Sequence, residues 1–549
     1  MHTKYIFVSG GVISGIGKGT SAASIALLLK SSGLRVAPIK FEGYLNIDAG
    51  TINPIEHGDP FLCEDGTEGD MDLGSYEKFL DEDMGKDNFV TMGQVYQHII
   101  EKERRFEYNG EDVEAVHISN EIIGRIKNVA KKKQADVVVI ELGGTAGEYW
   151  NVFFYEASRI LSLKNPGDVI HVHVSYLPTP HHLGEPKTKP TQLSVRTLNS
   201  LGIQPDFIIA RSEKYFDQRR RERFALFCNM RSDDIISAPD VSIIYEIPLL
   251  LHEQELDKKI LKKLDLKISS PKLDDWKKFL EKVKNKKQKN VEIAIVGKYF
   301  GTGDYQIRDS YAALFDAIDH AAWQLNANIK TRWISAQNLE TKDPKMVIGN
   351  PDGIIVPIGW GERGAEGMIK AASFARENKI PYLGLCYGMQ LATIAYARDI
   401  LGWKDANTTE NDPKTKHPII TLMPKQKKFM KKRAYGGTMR LGTWNAIVKN
   451  NTVAYKLYDK YNGFLDKNKN LTSERHRHRY EFNNKYTKEF EDKGFVFSAR
   501  SVEENLVEII ELPKSLHPFY LGTQGHPEYK SRPLKPHPIF LGFIQACML

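Results

Sequence analysis

Two series of short β-rich runs, each alternating with helical segments, lie on either side of one lysine-rich stretch. Before it come Val137-Val-Val-Ile140, Val169-Ile-His-Val-His-Val174 and Phe207-Ile-Ile-Ala210. After it come Val291-Glu-Ile-Ala-Ile-Val296, Gly353-Ile-Ile-Val356 and Tyr382-Leu-Gly-Leu385. Apolar strands that alternate with helices imply parallel sheets covered on both faces. The pattern predicts an α/β protein with two doubly wound parallel-sheet domains, spanning 1–267 and 291–549. The dividing stretch, Trp276-Lys-Lys-Phe-Leu-Glu-Lys-Val-Lys-Asn-Lys-Lys-Gln-Lys289, keeps helical spacing and then turns wholly polar. It predicts a solvated helix within a linker over 268–290. A chain of 549 residues gives each half enough length for a full core.

Composition narrows the function classes. Cys63, Cys228, Cys386 and Cys547 lie far apart and form no CxxC pair. That argues against a disulfide framework or a zinc site and fits a reducing compartment. Neither a signal peptide nor an apolar run long enough to cross a bilayer is evident, so a cytoplasmic protein without a membrane partner is expected. The net charge of +8 raises the question of nucleic acid. Phosphate-rich small molecules account for basic clusters equally well, and no nucleic-acid module is recognisable, so no nucleic-acid partner is expected.

Near the start, the apolar run Lys4-Tyr-Ile-Phe-Val8 reads as a buried strand. Ser9-Gly-Gly-Val-Ile-Ser-Gly-Ile-Gly-Lys-Gly-Thr20 follows, then a helix from Ala22 to about Ser31. Strand, glycine loop and helix N-terminus make a cradle of N–H groups for phosphate, with Lys18 adding charge. The loop departs from the strict P-loop pattern. Val12 takes the first glycine position, Gly19 stands where Ser or Thr is usual, and Thr20 comes one residue late.

Toward the other end, Pro381-Tyr-Leu-Gly-Leu-Cys-Tyr-Gly-Met-Gln390 reads as strand, sharp turn and helix, with Cys386 at the turn. Glycines on both sides of a cysteine suit a tight elbow. His526 and Glu528, in Gly525-His-Pro-Glu528, supply a base and a carboxylate to orient it. Gly384-x-Cys386-x-Gly388 and His526-Pro527-Glu528 resemble the nucleophile elbow and the His-x-Glu pair of class I glutamine amidotransferases.

From the Ser9 loop through Lys40, Tyr44-Leu-Asn-Ile-Asp48, Gly50-Thr51, His57-Gly58, Glu64-Asp-Gly66 and Asp70-Met-Asp-Leu-Gly74, the amino-terminal half resembles the glutamine-hydrolysing CTP synthase family. The resemblance is not confined to these strings. It continues through Lys102-Glu-Arg-Arg105, Glu141-Leu-Gly-Gly-Thr145 and Lys187-Thr-Lys-Pro-Thr-Gln192. Gly436-Gly-Thr-Met-Arg-Leu-Gly442 and Glu474-Arg-His-Arg-His-Arg-Tyr-Glu481 extend it over nearly the whole chain.

The resemblance implies amination of UTP to CTP, with ATP as co-substrate, Mg²⁺ as cofactor and glutamine as nitrogen donor. It implies an ATP site at Gly15, Ile16, Gly17, Lys18, Gly19, Thr20, Lys40, Asp72, Pro239, Asp240 and Val241, with Asp72 and Glu141 as metal carboxylates. It implies UTP or CTP contacts at Ser14, Glu148, Tyr149, Trp150, Lys187, Thr188, Lys189, Pro190, Thr191, Gln192 and Arg223. Because the matching loop acts across subunits in the family, a homotetramer is implied. Cys386, His526 and Glu528 are implied as the catalytic triad. Glutamine contacts are implied at Gly359, Tyr387, Gly388, Met389, Gln390, Glu410 and Arg479, with Gly359 and Tyr387 as oxyanion donors. Arg475, Arg477 and His478 read either as a solvated basic run or, from the family string, as structural residues at a domain interface. GTP is implied as an allosteric activator.

Several positions depart from the family. Ile358 replaces the first glycine of the usual Pro-Gly-Gly-Phe-Gly, Glu42-Gly43 replaces Asp-Pro, and Val116 replaces a common proline. Glu148-Tyr149-Trp150 replaces a segment with two acids that contacts CTP, so altered product inhibition is expected. The region 425–435 is rich in lysine. Another P-loop amidotransferase, such as a cobyrinate amide synthase, would share both domain types but not the Lys187–Gln192 string. A regulatory relative without activity would not need the intact triad, Lys18, Asp72 and Glu141.

Overall fold

The structure, a computed structural model, describes residues 2–54, 58–284, 289–302, 305–306, 308–432 and 435–549. His57, and parts of the lysine-rich stretches at 285–288 and 433–434, lie outside the described residues. The chain divides into two compact units. One comprises Met1–Asp48 and Asp72–Lys277, the other Ala49–Met71 and Lys278–Leu549. The division falls inside the expected linker, within a helix at Asp274–Val283. The excursion Ala49–Met71 out of the first half had no counterpart in the sequence reading.

The first unit is built on a seven-stranded sheet. Its strands lie in the order Phe89–Thr91, Val36–Glu42, Val137–Leu142, Lys4–Gly11, Val169–Tyr176, Phe207–Ser212 and Ile235–Pro239. Every pairing is parallel. Val137–Leu142 is buried at all its positions and Lys4–Gly11 at all but Lys4, as strands covered on both faces must be. The first strand lies between Val137–Leu142 and Val169–Tyr176, so the chain changes direction across the sheet there. Ligands of such sheets collect at the carboxyl ends of the strands beside this reversal. The glycine loop, Glu141 and Ser175 all lie at that edge.

The second unit carries a nine-stranded sheet. Five parallel strands come first: Ala327–Ser335, Lys289–Gly297, Gly353–Val356, Tyr382–Leu385 and Tyr520–Thr523. Four antiparallel strands extend it: Val507–Glu511, Val496–Ser501, Arg440–Val448 and Leu471–His478. The parallel half matches the expected doubly wound sheet; the antiparallel extension was not foreseen. Alternate residues of Lys289–Gly297 enter opposite cores. Val291, Ile293 and Ile295 pack on one side, Ala294 and Val296 on the other.

Candidate functional site

In the first unit the helix after the glycine loop begins at Lys18, one turn earlier than the sequence indicated. Gly17 caps it with φ 83°, a left-handed conformation that a side chain resists. Val12, in the first glycine position, also has φ 81°, a strained conformation for a β-branched residue. The substitution at Gly19 has a steric reason: a Cβ there would lie 1.8 Å from Asp72 Oδ1. Glycine therefore lets the Asp72 carboxylate close onto the loop.

Asp72 and Glu141 are brought together by Lys40. Its ammonium donates to Asp72 and, at 2.8 Å, to Glu141 Oε1. Tyr76 donates its hydroxyl to Glu141 Oε2 at 2.5 Å. Burial, and then Asp72 beside it, push the Glu141 carboxyl up to about 8 against the pull of Lys40 and Lys18. Burial acts the same way on Asp72, but Lys40 outweighs it and holds that carboxyl below its ordinary value. Two crowded carboxylates whose oxygens are hard donors fit Mg²⁺, which keeps waters and phosphate oxygens for its remaining ligands. Among the described residues no group of three or more acids, histidines or cysteines offers a fuller cage.

The other predicted nucleotide residues sit around the same unit. Pro239 ends a strand, and the Asp240 carboxylate accepts from Arg211 at 3.0 Å. Ser14 and Arg223 are exposed. Lys187 pairs with Glu185 at 2.5 Å, and Arg220 binds the other oxygen of Glu185 at 2.5 Å. Neither Glu185 nor Arg220 was singled out from the sequence, because an ordinary surface ion pair has no motif. Lys189 and Pro190 open the helix Lys189–Ser200, and Gln192 donates to Thr188 at 3.0 Å. Thr191 is fully buried, accepting from Ser175 and donating to the Tyr176 carbonyl, so its side chain is committed to packing. The Glu148 carboxylate accepts from the N–H and hydroxyl of Thr145, while Tyr149 and Trp150 stand exposed.

In the second unit, three adjacent parallel strands deliver the chemistry to one edge. Gly353–Val356 leads to Gly359, Tyr382–Leu385 to Cys386, and Tyr520–Thr523 to His526. Cys386 has φ 50° and ψ −100°, and the helix Tyr387–Asp399 starts directly after it. The sulfur thus lies at a helix N-terminus. The turn requires its glycines: a Cβ on Gly388 would lie 1.9 Å from the Val356 carbonyl oxygen.

His526 Nδ1 and Glu528 Oε1 are 2.7 Å apart. Nε2 of the same ring is buried, and among the described residues no group lies within ordinary hydrogen-bond geometry of it. Burial alone would lower the His526 pKa; Glu528, and then Cys386, outweigh it and hold the imidazole up at about 10. A thiol, an imidazole charged by its neighbours and an orienting carboxylate are the parts needed for acyl transfer through a thioester. Gln524, which the sequence reading missed, donates to Cys386 Sγ at 3.5 Å and accepts from Gln390 at 3.2 Å.

Tyr387, Gly388, Met389 and Gln390 follow Cys386 directly and Gly359 lies against Tyr387, while Glu410 and Arg479 are held by bonds of their own. Glu410 Oε1 accepts from the Gly361 N–H at 2.9 Å. Gln390 also donates to the Tyr480 carbonyl at 2.8 Å. Arg479 donates to Gln426, to the Tyr435 carbonyl and to Thr438. Met389 points into the core, leaving only its backbone for a ligand.

The solvated reading of Arg475, Arg477 and His478 is corrected: all three are buried. Arg475 pairs with Glu64 at 3.3 Å and donates to the Leu62 carbonyl at 2.8 Å. Arg477 pairs with Glu68 at 2.6 Å. The partners come from the excursion Ala49–Met71, whose membership of this unit no local pattern announced.

A family model described as CTP synthase N-terminus matches residues 4–266, and one described as glutamine amidotransferase class-I matches residues 306–546. A CTP synthase of Caldanaerobacter subterraneus is 46% identical over 99% of this chain and 98% of its own length. A CTP synthase of Pyrococcus furiosus is 47% identical over the same shares. A solved glutaminase domain of Trypanosoma brucei CTPS, with bound acivicin, is 32% identical. The match covers 47% of this chain and 93% of that one, with a TM-score of 0.41.

Proposed function

The chain belongs to the CTP synthase family, and from that premise we propose that it aminates UTP to CTP, consuming ATP and taking nitrogen from glutamine. The observation that carries the reading is the Cys386–His526–Glu528 arrangement in a chain that also holds a phosphate loop closed by Asp72. The Cys386 sulfur adds to the carboxamide carbon of glutamine, His526 gives a proton to the nitrogen of this tetrahedral adduct, and the C–N bond breaks, releasing ammonia and leaving a glutamyl thioester. Water, deprotonated by His526, then releases glutamate. Glu528 holds the ring through Nδ1, and the N–H groups of Gly359 and Tyr387 are the expected donors to the oxyanion.

In the first unit the γ-phosphate of ATP passes to O4 of UTP, turning a poor leaving group into phosphate. Ammonia attacks C4 and phosphate leaves, giving CTP, ADP and phosphate. Lys18, Lys40 and the N–H groups of residues 15–20 hold phosphate charge; Asp72 and Glu141 would hold Mg²⁺, which offsets phosphate repulsion when bound. The proposal includes a homotetramer built around 187–192, GTP as activator, and CTP feedback altered at Glu148, Tyr149 and Trp150. A cytoplasmic setting belongs to it as well, supported by four buried cysteines with no disulfide among the described residues. Among the described residues no helix is long and apolar enough to cross a membrane.

The test is to incubate the protein with UTP, ATP, Mg²⁺ and amide-¹⁵N glutamine. The expected result is ¹⁵N-labelled CTP, with ADP and phosphate formed in equal amounts. Failure to make CTP from either glutamine or ammonium would refute the reading.

A further inference from the structure

Lys298 is the first residue after the strand Lys289–Gly297, which pairs with Gly353–Val356. It therefore reaches the same sheet edge as Gly359, Cys386 and His526. Its ammonium donates to the carbonyl oxygens of Trp360 at 2.5 Å and Gly361 at 2.6 Å. The same nitrogen lies 5.0 Å from the centre of the Tyr387 ring. Its stem runs along Gly359: a Cβ on that glycine would lie 2.7 Å from Lys298 Cδ and 3.1 Å from Tyr387 Cδ1. One side chain thus touches both residues expected to donate to the oxyanion.

The loop it holds is pegged on every side. Tyr311 donates to the Ile358 carbonyl at 3.4 Å, and Tyr299 accepts from the Trp360 N–H at 3.1 Å. Tyr387 donates to the Gly361 carbonyl at 2.8 Å, and Glu410 accepts from the Gly361 N–H. Lys298 is a cation among these pegs, and the Arg477 guanidinium lies 5.4 Å from the centre of the Trp360 ring. In this chain the loop reads Pro357-Ile-Gly-Trp-Gly361. Hydrogen bonds to backbone carbonyls fix peptide planes, and the plane fixes where the N–H points.

We propose that Lys298 is a positioning residue of the glutamine-hydrolysing site, holding the Gly359–Gly361 loop so that the Gly359 N–H stays aimed at the oxyanion. The inference rests on the glutaminase reading given above. Burial lowers the Lys298 ammonium to about 8, against Glu410 and Glu340 and together with Arg363, the charged groups that face it. As pH rises through that value the ammonium becomes an amine, its bonds to the two carbonyls lose their charge assistance, and the loop loosens.

Full-length Lys298→Met and Lys298→Arg decide it. Three quantities are measured: glutamine hydrolysis, CTP formation from ammonium, and alkylation of Cys386 by iodoacetamide, which forms no oxyanion. Lys298→Met is expected to lower kcat for glutamine by roughly 10²–10³-fold, the range for loss of an oxyanion donor, with KM changed less than about threefold. Alkylation and the ammonium reaction should persist. Wild type should lose kcat as pH rises through about 8, and Lys298→Arg, which stays charged, should not. A Lys298→Met enzyme with wild-type kcat, or one altered in KM alone, overturns the inference. If Lys298→Met does not fold, a wild-type kcat that is flat between pH 7 and 9 overturns it instead. Wild type that makes CTP from ammonium and never from glutamine would refute the glutaminase reading itself.

Discussion

At the scale of single residues, Cys386 and His526 show how a site divides between chemistry and support. Cys386→Ala removes the sulfur beside His526, so glutamine-dependent CTP formation should fall to background. Synthesis from added ammonium should stay within about twofold, because the phosphate loop and its acids belong to the other unit. Equal loss with both nitrogen sources would contradict two separate sites. His526 has a consequence for stability. Its pKa is held at about 10 when folded, against roughly 6.5 when unfolded. Between those values the folded chain keeps a proton that the unfolded chain has lost, so this contribution is full below the lower value and disappears as pH rises through the upper one. Glu528→Gln removes the partner that raises it. The variant should melt a few degrees below wild type at pH 7, and the gap should narrow as pH climbs toward 10. A gap that stays constant in thermal melts over that range would show that Glu528 does not hold the imidazolium.

At the scale of elements, the strand–turn–helix at Cys386 was legible because glycines at 384 and 388 mark a backbone that passes too close to its neighbours for a Cβ. The structure supplies the neighbour, the Val356 carbonyl, which belongs to a strand 30 residues earlier. Gly388→Ala should therefore push the helix Tyr387–Asp399 off the sheet, at a cost of about 1–3 kcal/mol. Urea unfolding should show the lower midpoint, and glutamine hydrolysis should fall with it while the ammonium reaction remains. Unchanged stability would mean that the close approach is not maintained in solution. The phosphate loop was legible for the same reason, but its helix was placed one turn late. Ser, Thr and Gly at 19–21 are weak helix formers, and only Gly17 in a left-handed cap lets the helix start at Lys18.

At the scale of the whole molecule, the alternation of apolar runs with helical segments was enough for two α/β halves, since a run of buried β-branched residues has few other ways to satisfy its backbone. The grouping of Cys386, His526 and Glu528 was legible too, because these residue types are rare in that spacing and order. The antiparallel extension was not, because its strands carry buried charge where a core strand usually alternates apolar with polar. Arg475, Arg477 and His478 read in sequence either as a solvated run or as structural residues; all three are buried, and Arg475 and Arg477 are neutralised by Glu64, Glu68 and Asp59, from some 410 residues away. Arg477→Met should remove the cation paired with the buried Glu68 and Asp59, costing about 3–5 kcal/mol. Adding Glu68→Gln should recover part of it, a coupling of about 1–3 kcal/mol in a double-mutant cycle. Strict additivity of the two changes in urea unfolding would show that the pair is not formed. Local patterns thus determined the two halves, the phosphate loop and the nucleophile elbow, because backbone conformation and burial periodicity act over a few neighbouring residues. Only the tertiary structure decided which carboxylates neutralise the arginines, that Ala49–Met71 joins the second unit, and that Lys298 lies against Gly359, because charge pairing and close packing depend on distances that chain order does not encode.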